Sequence, residues 1–503
     1  MISTTTFMFS KYKRFVACLF LLGTQAVTIQ LKAVMETNFI SATVDTTKPG
    51  VAIPDDFLGL SFEAAALLPD ENGQRYFRPD NQPLVNLFHT LGIKSLRIGG
   101  NTSDRDAVRL PADADIDSLF AFARLANVKV IYCLRLCKGS PAEAAKTAKY
   151  ISDRYGDLLD CFSIGQEPSA YPVEAVDQRP ASERMGVNAE HYTYSAFRDE
   201  WRRFAKVILE TVPNAKFCGP GVHNQPKWTR DFLADFGQTN HVVLVTAHQY
   251  PGLSGNKLPS PEIGRAKMLS GEFFGVYQKL LDGSMPSVRS NSLPFRLEEA
   301  NNYYNGGAKD VSDTYTAALW GLEYLHWWAS HGAAGINFHT GDRVAAGANI
   351  TTARYTAFVT VTNGISARPL AYGIQMFDLA GHGRYVPVKF EPASCPNLST
   401  FATLNEDRSL SVTVINKSYG GDAKAMDVNL SVEGYQTGKV IQLSAPNGDV
   451  AARSGVSLGD SEIRIGGTWK GRWKPLPPTD HGRFQCVVPA TSAVVILFTS
   501  PPI

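Results

Sequence analysis

The chain has 503 residues, too many for one small core and enough for a large domain with an accessory one. Its 49 Lys and Arg against 47 Asp and Glu leave a net charge of +2. That balance excludes nucleic acid as the main partner, because binding phosphates needs a concentrated basic surface.

At the N-terminus Lys11, Lys13 and Arg14 precede an apolar run from Phe15 to about Ile29, broken by Gly23, Thr24 and Gln25. A basic segment, a short apolar core and small residues near Ala26 predict a secretory signal peptide over residues 1–33. The run is short and interrupted for a membrane-spanning helix. The mature protein is therefore expected to be secreted or periplasmic, with no membrane association after cleavage. Within residues 34–56, Phe39–Val44 reads as a strand that adds to a later β domain.

Eight runs rich in β-branched and apolar residues follow: Phe57–Glu63, Ser95–Asn101, Lys129–Leu136, Cys161–Glu167, Ala215–Val222, His241–Tyr250, Leu293–Asn301 and Ala334–His339. Near-continuous hydrophobicity is what parallel strands buried on both faces require. Helical patterns lie between them, among them Pro141–Tyr155, Ser195–Val212 and Thr314–Ser330. The alternation predicts an α/β fold, a (β/α)₈ TIM barrel over residues 57–385. Long loops at Glu167–Ser195 and Tyr250–Pro261 leave its upper rim. From about Val388 the texture changes to short strands with turns between: Leu410–Asn416, Met426–Val432, Val440–Leu443, Glu462–Ile465 and Ala493–Phe498. This predicts a β-sandwich domain over residues 386–503.

Of the seven cysteines, Cys18 falls in the signal segment. Cys133, Cys137, Cys161 and Cys218 sit on or beside barrel strands, where a free thiol packs as a small hydrophobe. Cys395 and Cys486 lie in the β domain of a chain expected to be exported, and a disulfide between them is expected.

Two strand ends carry the chemistry. Ser163-Ile164-Gly165-Gln166-Glu167-Pro168 delivers a carboxylate just before a proline, which turns the chain away from helical geometry. Phe295-Arg296-Leu297-Glu298-Glu299-Ala300-Asn301 delivers two. Adjacent strand residues point to opposite faces, so at most one of Glu298 and Glu299 is expected to face the barrel axis, and the local pattern leaves open which. Active sites of TIM barrels are built on this rim, and two carboxylates across a sugar ring are the working parts of a glycoside hydrolase. Tyr250 ends the sixth barrel strand, either as core or as a hydrogen-bond partner of a catalytic carboxylate. His248 and His339 read as supporting or core groups, since no spacing matches a zinc site. Gly99-Gly100-Asn101 lacks the dinucleotide and P-loop patterns, and no G-x-S-x-G elbow is present.

From about Phe57 onward the chain resembles glycoside hydrolase family 79, the β-glucuronidases and heparanases. The resemblance is carried by Glu299-Ala300-Asn301-Asn302-Tyr303-Tyr304-Asn305-Gly306-Gly307-Ala308, by Gly165-Gln166-Glu167-Pro168, by Phe62-Glu63 and by Arg97-Ile98-Gly99-Gly100-Asn101-Thr102-Ser103-Asp104. It implies a retaining hydrolase of β-D-glucuronides with Glu299, rather than Glu298, as nucleophile and Glu167 as acid/base. Tyr250 falls on the tyrosine beside the nucleophile. Glu63, Asn101, Gln166 and His339 fall at substrate-contacting strand ends, Glu63 as a ligand of sugar hydroxyls. No metal or organic cofactor is required, and the implied partner is a glucuronide-containing glycan or a small glucuronide. Two departures stand out. Gln166 replaces an asparagine, so contact to the 2-hydroxyl must come from a longer side chain. The tyrosine usual shortly after His339 is missing, with none until Tyr355. The uronic carboxylate is then expected on Tyr304, the amides of Gly306 and Gly307, and Arg343. The alternatives are a neutral-sugar β-glycosidase, an endo-acting heparanase-like enzyme, and a carbohydrate-binding barrel that has lost catalysis.

Overall fold

A computed structural model of the protein describes residues 38–171, 192–342, 352–391, 395 and 397–499. The expected signal peptide with Cys18, residues 172–191 of the loop after Glu167, and Arg343 lie outside the described residues.

The first strand, β1 (Asn38–Val44), precedes eight parallel strands that close into a barrel. These are β2 (Leu58–Glu63), β3 (Ser95–Gly99), β4 (Lys129–Leu134), β5 (Leu159–Ile164), β6 (Phe217–His223), β7 (Val242–Gln249), β8 (Phe295–Ala300) and β9 (Gly335–His339). Strand β9 pairs back onto β2, with Leu58 opposite Ile336, so the barrel has no free edge. The strands are buried almost throughout because helices cover their outer face. Those helices are α1 (Gln82–Thr90), α2 (Asp113–Ala126), α3 (Pro141–Tyr155), α4 (Tyr194–Thr211), α5 (Pro226–Phe236), α6 (Pro261–Leu269), α7 (Glu272–Ser290) and α8 (Tyr315–Ser330). Helix α3 starts where its composition directs. Pro141 occupies the first turn, and the Ser140 hydroxyl accepts the Glu143 amide at 3.5 Å.

Beyond a hairpin of β10 (Phe358–Val361) and β11 (Gly364–Ala367) and helix α9 (Pro369–Asp378), the chain forms two facing sheets. One is ordered β13 (Val388–Glu391), β1, β16 (Met426–Ser431), β20 (Arg483–Val488). The other is ordered β12 (Arg384–Val386), β14 (Leu398–Leu404), β15 (Leu410–Asn416), β21 (Ser492–Thr499), β17 (Thr437–Ser444), β18 (Ser457–Leu458), with β19 (Lys474–Leu476) also on β17. Strand β1 sits inside its sheet, antiparallel to β13 and parallel to β16. Ile40, Val412, Val428, Phe484 and Ile496 share one core between the sheets.

Helix α8 joins barrel and sandwich, and it is buried nearly all round because both bodies pack on it. Lys417 Nζ meets Glu323 Oε1 at 2.5 Å, the Ser399 hydroxyl donates to the same oxygen, and His326 stacks on Phe401 with ring centroids 4.6 Å apart.

Two expectations are corrected. Glu462–Ile465 forms no strand: it is a loop in which Ile463 is buried and its amide donates to the Tyr372 hydroxyl at 3.0 Å, so tertiary anchoring takes the place of a sheet ladder. Cys395 and Cys486 are free thiols, both packed against the sandwich core, where each acts as a small apolar side chain.

Candidate active site

The C-terminal ends of the barrel strands converge on a cavity of about 530 Å³. Glu63, Asn101, Glu167, Tyr250, Glu299, Tyr304, Gly306 and His339 all line it. Gln166 stands behind Glu299. Gly307 does not reach the lining: it is buried, and a Cβ there would meet Ser312 and the Tyr355 amide at 2.9 Å.

Glu299 is the most heavily engaged carboxylate. Arg97 Nη1 donates to its Oε2 at 2.7 Å, Gln166 Nε2 donates to the same oxygen at 3.0 Å, and the Tyr250 hydroxyl donates to Oε1 at 2.9 Å. Burial works to raise its pKa, but the nearby charges of His339, His248 and Arg97 and the Tyr250 hydrogen bond prevail. The group is held well below the usual carboxylate range, hence ionised. The longer side chain of Gln166 reaches both ways, donating to Glu299 and accepting from Arg97 Nη2.

Glu167 follows β5 in a left-handed backbone conformation, φ 45° and ψ 54°, uncommon for a non-glycine residue. The turn is fastened from outside. The carboxylate of Asp104 accepts the Gln166 amide at 2.8 Å, the amides of Leu136 and Cys137 at 3.0 and 3.1 Å, and the Tyr171 hydroxyl. Glu167 Oε1 lies 2.9 Å from His248 Nδ1 and its side chain is 23% exposed to the cavity.

The expectation that Glu298 and Glu299 point to opposite faces, with at most one inside, is overturned. Along β8 the pairing slips: Leu297 faces Ala247 and Glu299 faces His248, so Glu298 is the extra residue of a bulge. A bulge breaks the two-residue alternation. Glu299 enters the cavity, while Glu298, also buried, turns beneath it to within 3.8 Å of Arg97 and 3.6 Å of His248.

On the β2 side, Glu63 Oε2 accepts the amide and hydroxyl of Thr102 at 2.8 and 2.7 Å, and its Oε1 lies 3.5 Å from His339 Nε2. Burial pushes the His339 pKa down, but Glu299 and Glu63 outweigh it and the net shift is upward. Burial pushes Glu63 up, and His339 with Thr102 carries it to a net lowering.

Sequence reasoning placed His248 as a supporting or core group and gave Arg97 no role. His248 is two residues before Tyr250, the spacing that puts side chains on one face of a strand, which was the available signal. Tyr355, the first tyrosine after His339 in the sequence, brings an aromatic hydroxyl to the site. It lines the cavity with ring centroids 6.1 Å from His339 and 6.0 Å from Tyr250. It stands 16 positions after His339 in the sequence, beyond the reach of any local pattern. Arg105 and His223 complete the charged and aromatic wall.

Among the described residues, Glu167, His248 and Glu299 form the one His/Cys/Asp/Glu group compact enough for a cation, each presenting an atom within 4.8 Å of the others. The guanidinium of Arg97 and the imidazoles of His248 and His339 already balance these carboxylates, so the cluster is suited to moving protons. The arrangement offers an ionised carboxylate opposite a second one, inside a cavity of sugar size.

No family model matches the chain. It is similar to a β-glucuronidase of Aspergillus niger, 24% identical over 58% of this chain and 61% of that one. A β-glucuronidase of Neurospora crassa is 23% identical over 60% of each chain, and a hyaluronoglucuronidase of Hirudo nipponia is 29% identical over 37% of this chain and 34% of that one. The matched stretch thus spans at most about three fifths of the length of these relatives. Among solved structures, a 4-O-α-L-rhamnosyl-β-D-glucuronidase from Fusarium oxysporum superposes with a TM-score of 0.69 at 17% identity, over 91% of this chain and 99% of that one. A GH51 arabinofuranosidase from Xanthomonas axonopodis pv. citri follows with a TM-score of 0.64 at 11% identity, over 92% and 99%. These likenesses show the shared fold, a TIM barrel with an appended sandwich. Among the described residues no helix is long and apolar enough to cross a membrane.

Proposed function

We propose that the protein is a retaining glycoside hydrolase of β-D-glucuronides that works outside the cytoplasm, with Glu299 as nucleophile and Glu167 as acid/base. One observation carries the reading: one carboxylate oxygen of Glu167 and one of Glu299 come within 4.8 Å of each other across the cavity, a nearest approach that favours the shorter of two known carboxyl spacings. Retaining enzymes hold their carboxyl groups about 5–5.5 Å apart, whereas inverting ones leave roughly 6.5–9.5 Å for a water. In the first step a Glu299 oxygen bonds the anomeric carbon as the glycosidic C–O bond breaks and Glu167 protonates the leaving oxygen. In the second, Glu167 takes a proton from water, whose oxygen attacks the same carbon and frees Glu299. Tyr250, Gln166 and Arg97 hold the nucleophile ionised and aimed.

Specificity for a uronic acid is supported by the relatives named glucuronidases and by the donors of one wall. Tyr304, Tyr355 and the turn at Asn305-Gly306 line the cavity, and Asn305, Gly306 and Gly307 all have positive φ. A turn of this kind can present backbone amides that hold an anion without a formal charge. The basic-then-apolar N-terminus supports export.

A panel of aryl β-glycosides tests the reading. The glucuronide should be turned over fastest, and a 2-deoxy-2-fluoro glucuronide should label Glu299. No turnover of any aryl glycoside, or a label on Glu298, overturns the assignment.

A further inference from the structure

His248 is fully buried and ringed by three carboxylates. Its Nδ1 lies 2.9 Å from Glu167 and 3.9 Å from Glu299, and its Nε2 lies 3.6 Å from Glu298, an ion-pair contact rather than a hydrogen bond. Glu298 is absent from the cavity wall and is enclosed by Arg97 Nε at 3.8 Å and the Cys218 thiol at 3.9 Å. A buried carboxylate that meets no substrate is expensive to keep ionised unless a fixed cation uses it. We propose that His248 is the proton reservoir of Glu167 and that Glu298 is the positioning residue that gives it a permanent counter-charge. This rests on the hydrolase reading above and adds residues to it.

The pair Glu167–His248 holds one proton. In the free protein it sits on His248, whose pKa burial lowers but Glu299, Glu167 and Glu298 carry up to about 9. Also titratable around this cluster are Arg97 from β3, which pairs with Glu298 and Glu299, His339 from β9 beside Glu299, His223 from β6 opposite His248, and Cys218 from β6 beside Glu298. Burial holds His223 below its ordinary value and the thiol well above its own, so neither adds charge near neutral pH. When a sugar fills the cavity and excludes water, the separated charges of the pair become costly. The proton then passes from Nδ1 to Glu167, leaving a neutral acid beside a neutral imidazole. Glu167 gives that proton to the leaving oxygen as Glu299 is esterified. Esterification removes the largest charge stabilising the imidazolium, so His248 stays neutral. Hydrolysis returns one proton, from water to Glu167 and on to His248, as the Glu299 carboxylate reappears.

Glu298→Gln keeps the size and removes the counter-charge. The pair should then lose its proton at lower pH. For an aryl glucuronide with a poor leaving group, the alkaline limb of kcat/KM should move toward acid by about one pH unit or more. A folded Glu298→Gln protein with an unchanged alkaline limb overturns the proposal. A second measurement needs no variant: ¹⁵N resonances of His248 in the intact protein should show imidazolium at pH 7 and a neutral ring in the 2-fluoroglucuronyl adduct. The same protonation state in both also overturns it. Absence of any aryl glycosidase activity in the parent protein would instead remove the hydrolase reading itself.

Discussion

Tyr304 and Tyr355 flank Tyr250 on one wall, with ring centroids 6.4 and 6.0 Å from it. If they bind the uronic carboxylate, each hydroxyl contributes a hydrogen bond to a charged group, on the order of 1.5–3 kcal/mol. Tyr304→Phe and Tyr355→Phe should each lower kcat/KM for an aryl glucuronide by roughly 10- to 100-fold. Residual hydrolysis of the matching glucoside should hardly change, and equal losses on both substrates would mark the tyrosines as structural. Gly100 makes a second residue-scale case. Its φ is 70°, and a Cβ there would stand 2.5 Å from the Glu63 carboxyl. Gly100→Ala should therefore cost about 1–3 kcal/mol of stability from backbone strain alone, displace Glu63, and, if Glu63 is a sugar-hydroxyl ligand as proposed, raise KM for every sugar carrying that hydroxyl. Thermal unfolding and a KM series check both effects. Gly100 was visible in the sequence as part of a glycine turn. Its reason was not, because the obstructing carboxyl comes from the neighbouring strand.

At the scale of elements, the bulge in β8 decides the site. Alternation along Phe295–Ala300 predicts one inward glutamate, and a single extra residue puts Glu299 on the cavity wall and Glu298 beneath it. Local pattern is blind to a bulge because the bulge is set by the register of the neighbouring strands, β7 and β9, both of which show the slip. Helix α8 illustrates the opposite case. Its apolar run was readable, whereas its buried Glu323 and His326 need partners from the sandwich. Lys417 follows β15 and closes on Glu323, both side chains 2% exposed. Lys417→Met leaves the Glu323 charge buried without its cation and should cost about 3–5 kcal/mol. The midpoint of urea unfolding should fall accordingly. The double variant with Glu323→Gln should recover part of the loss, and no recovery would mean that Lys417 acts through packing.

For the whole molecule, acid sensitivity should centre on the seam between barrel and sandwich. His326 is buried against Phe377 and Phe401, and burial pulls its pKa down to about 3. The unfolded chain takes up that proton near pH 6.5, so below this value the unfolded state binds more protons than the native one. The sign follows: the contribution of His326 is complete above pH 6.5 and is lost progressively as pH falls toward 3, at most about 1.4 kcal/mol per pH unit. His326→Phe should flatten the decline of Tm between pH 6.5 and 4. An unchanged slope would place the acid-labile group elsewhere.

The eight barrel strands were legible because hydrophobic runs buried on both faces repeat at the spacing of a strand–helix unit, and each predicted run overlaps an observed strand. Glu167, Glu299, Tyr250 and Glu63 were legible because barrels present side chains at the C-terminal ends of their strands, and those ends can be counted along the chain. Glu462–Ile465 was misread, since a short apolar run has the same pattern whether it pairs in a sheet or anchors a loop. The pairing of Cys395 with Cys486 was likewise beyond composition, because only distance and direction in space decide a bond. His248 as the meeting point of three carboxylates, Arg97 bridging Gln166 and Glu299, and Tyr355 entering the cavity from a distant loop were decided by tertiary structure alone. The physical reason is common to all of them. Sequence periodicity fixes which side of its own element a residue occupies, but the charge balance of a buried site depends on groups from different strands meeting within a few ångströms, and those meetings exist only once the barrel closes.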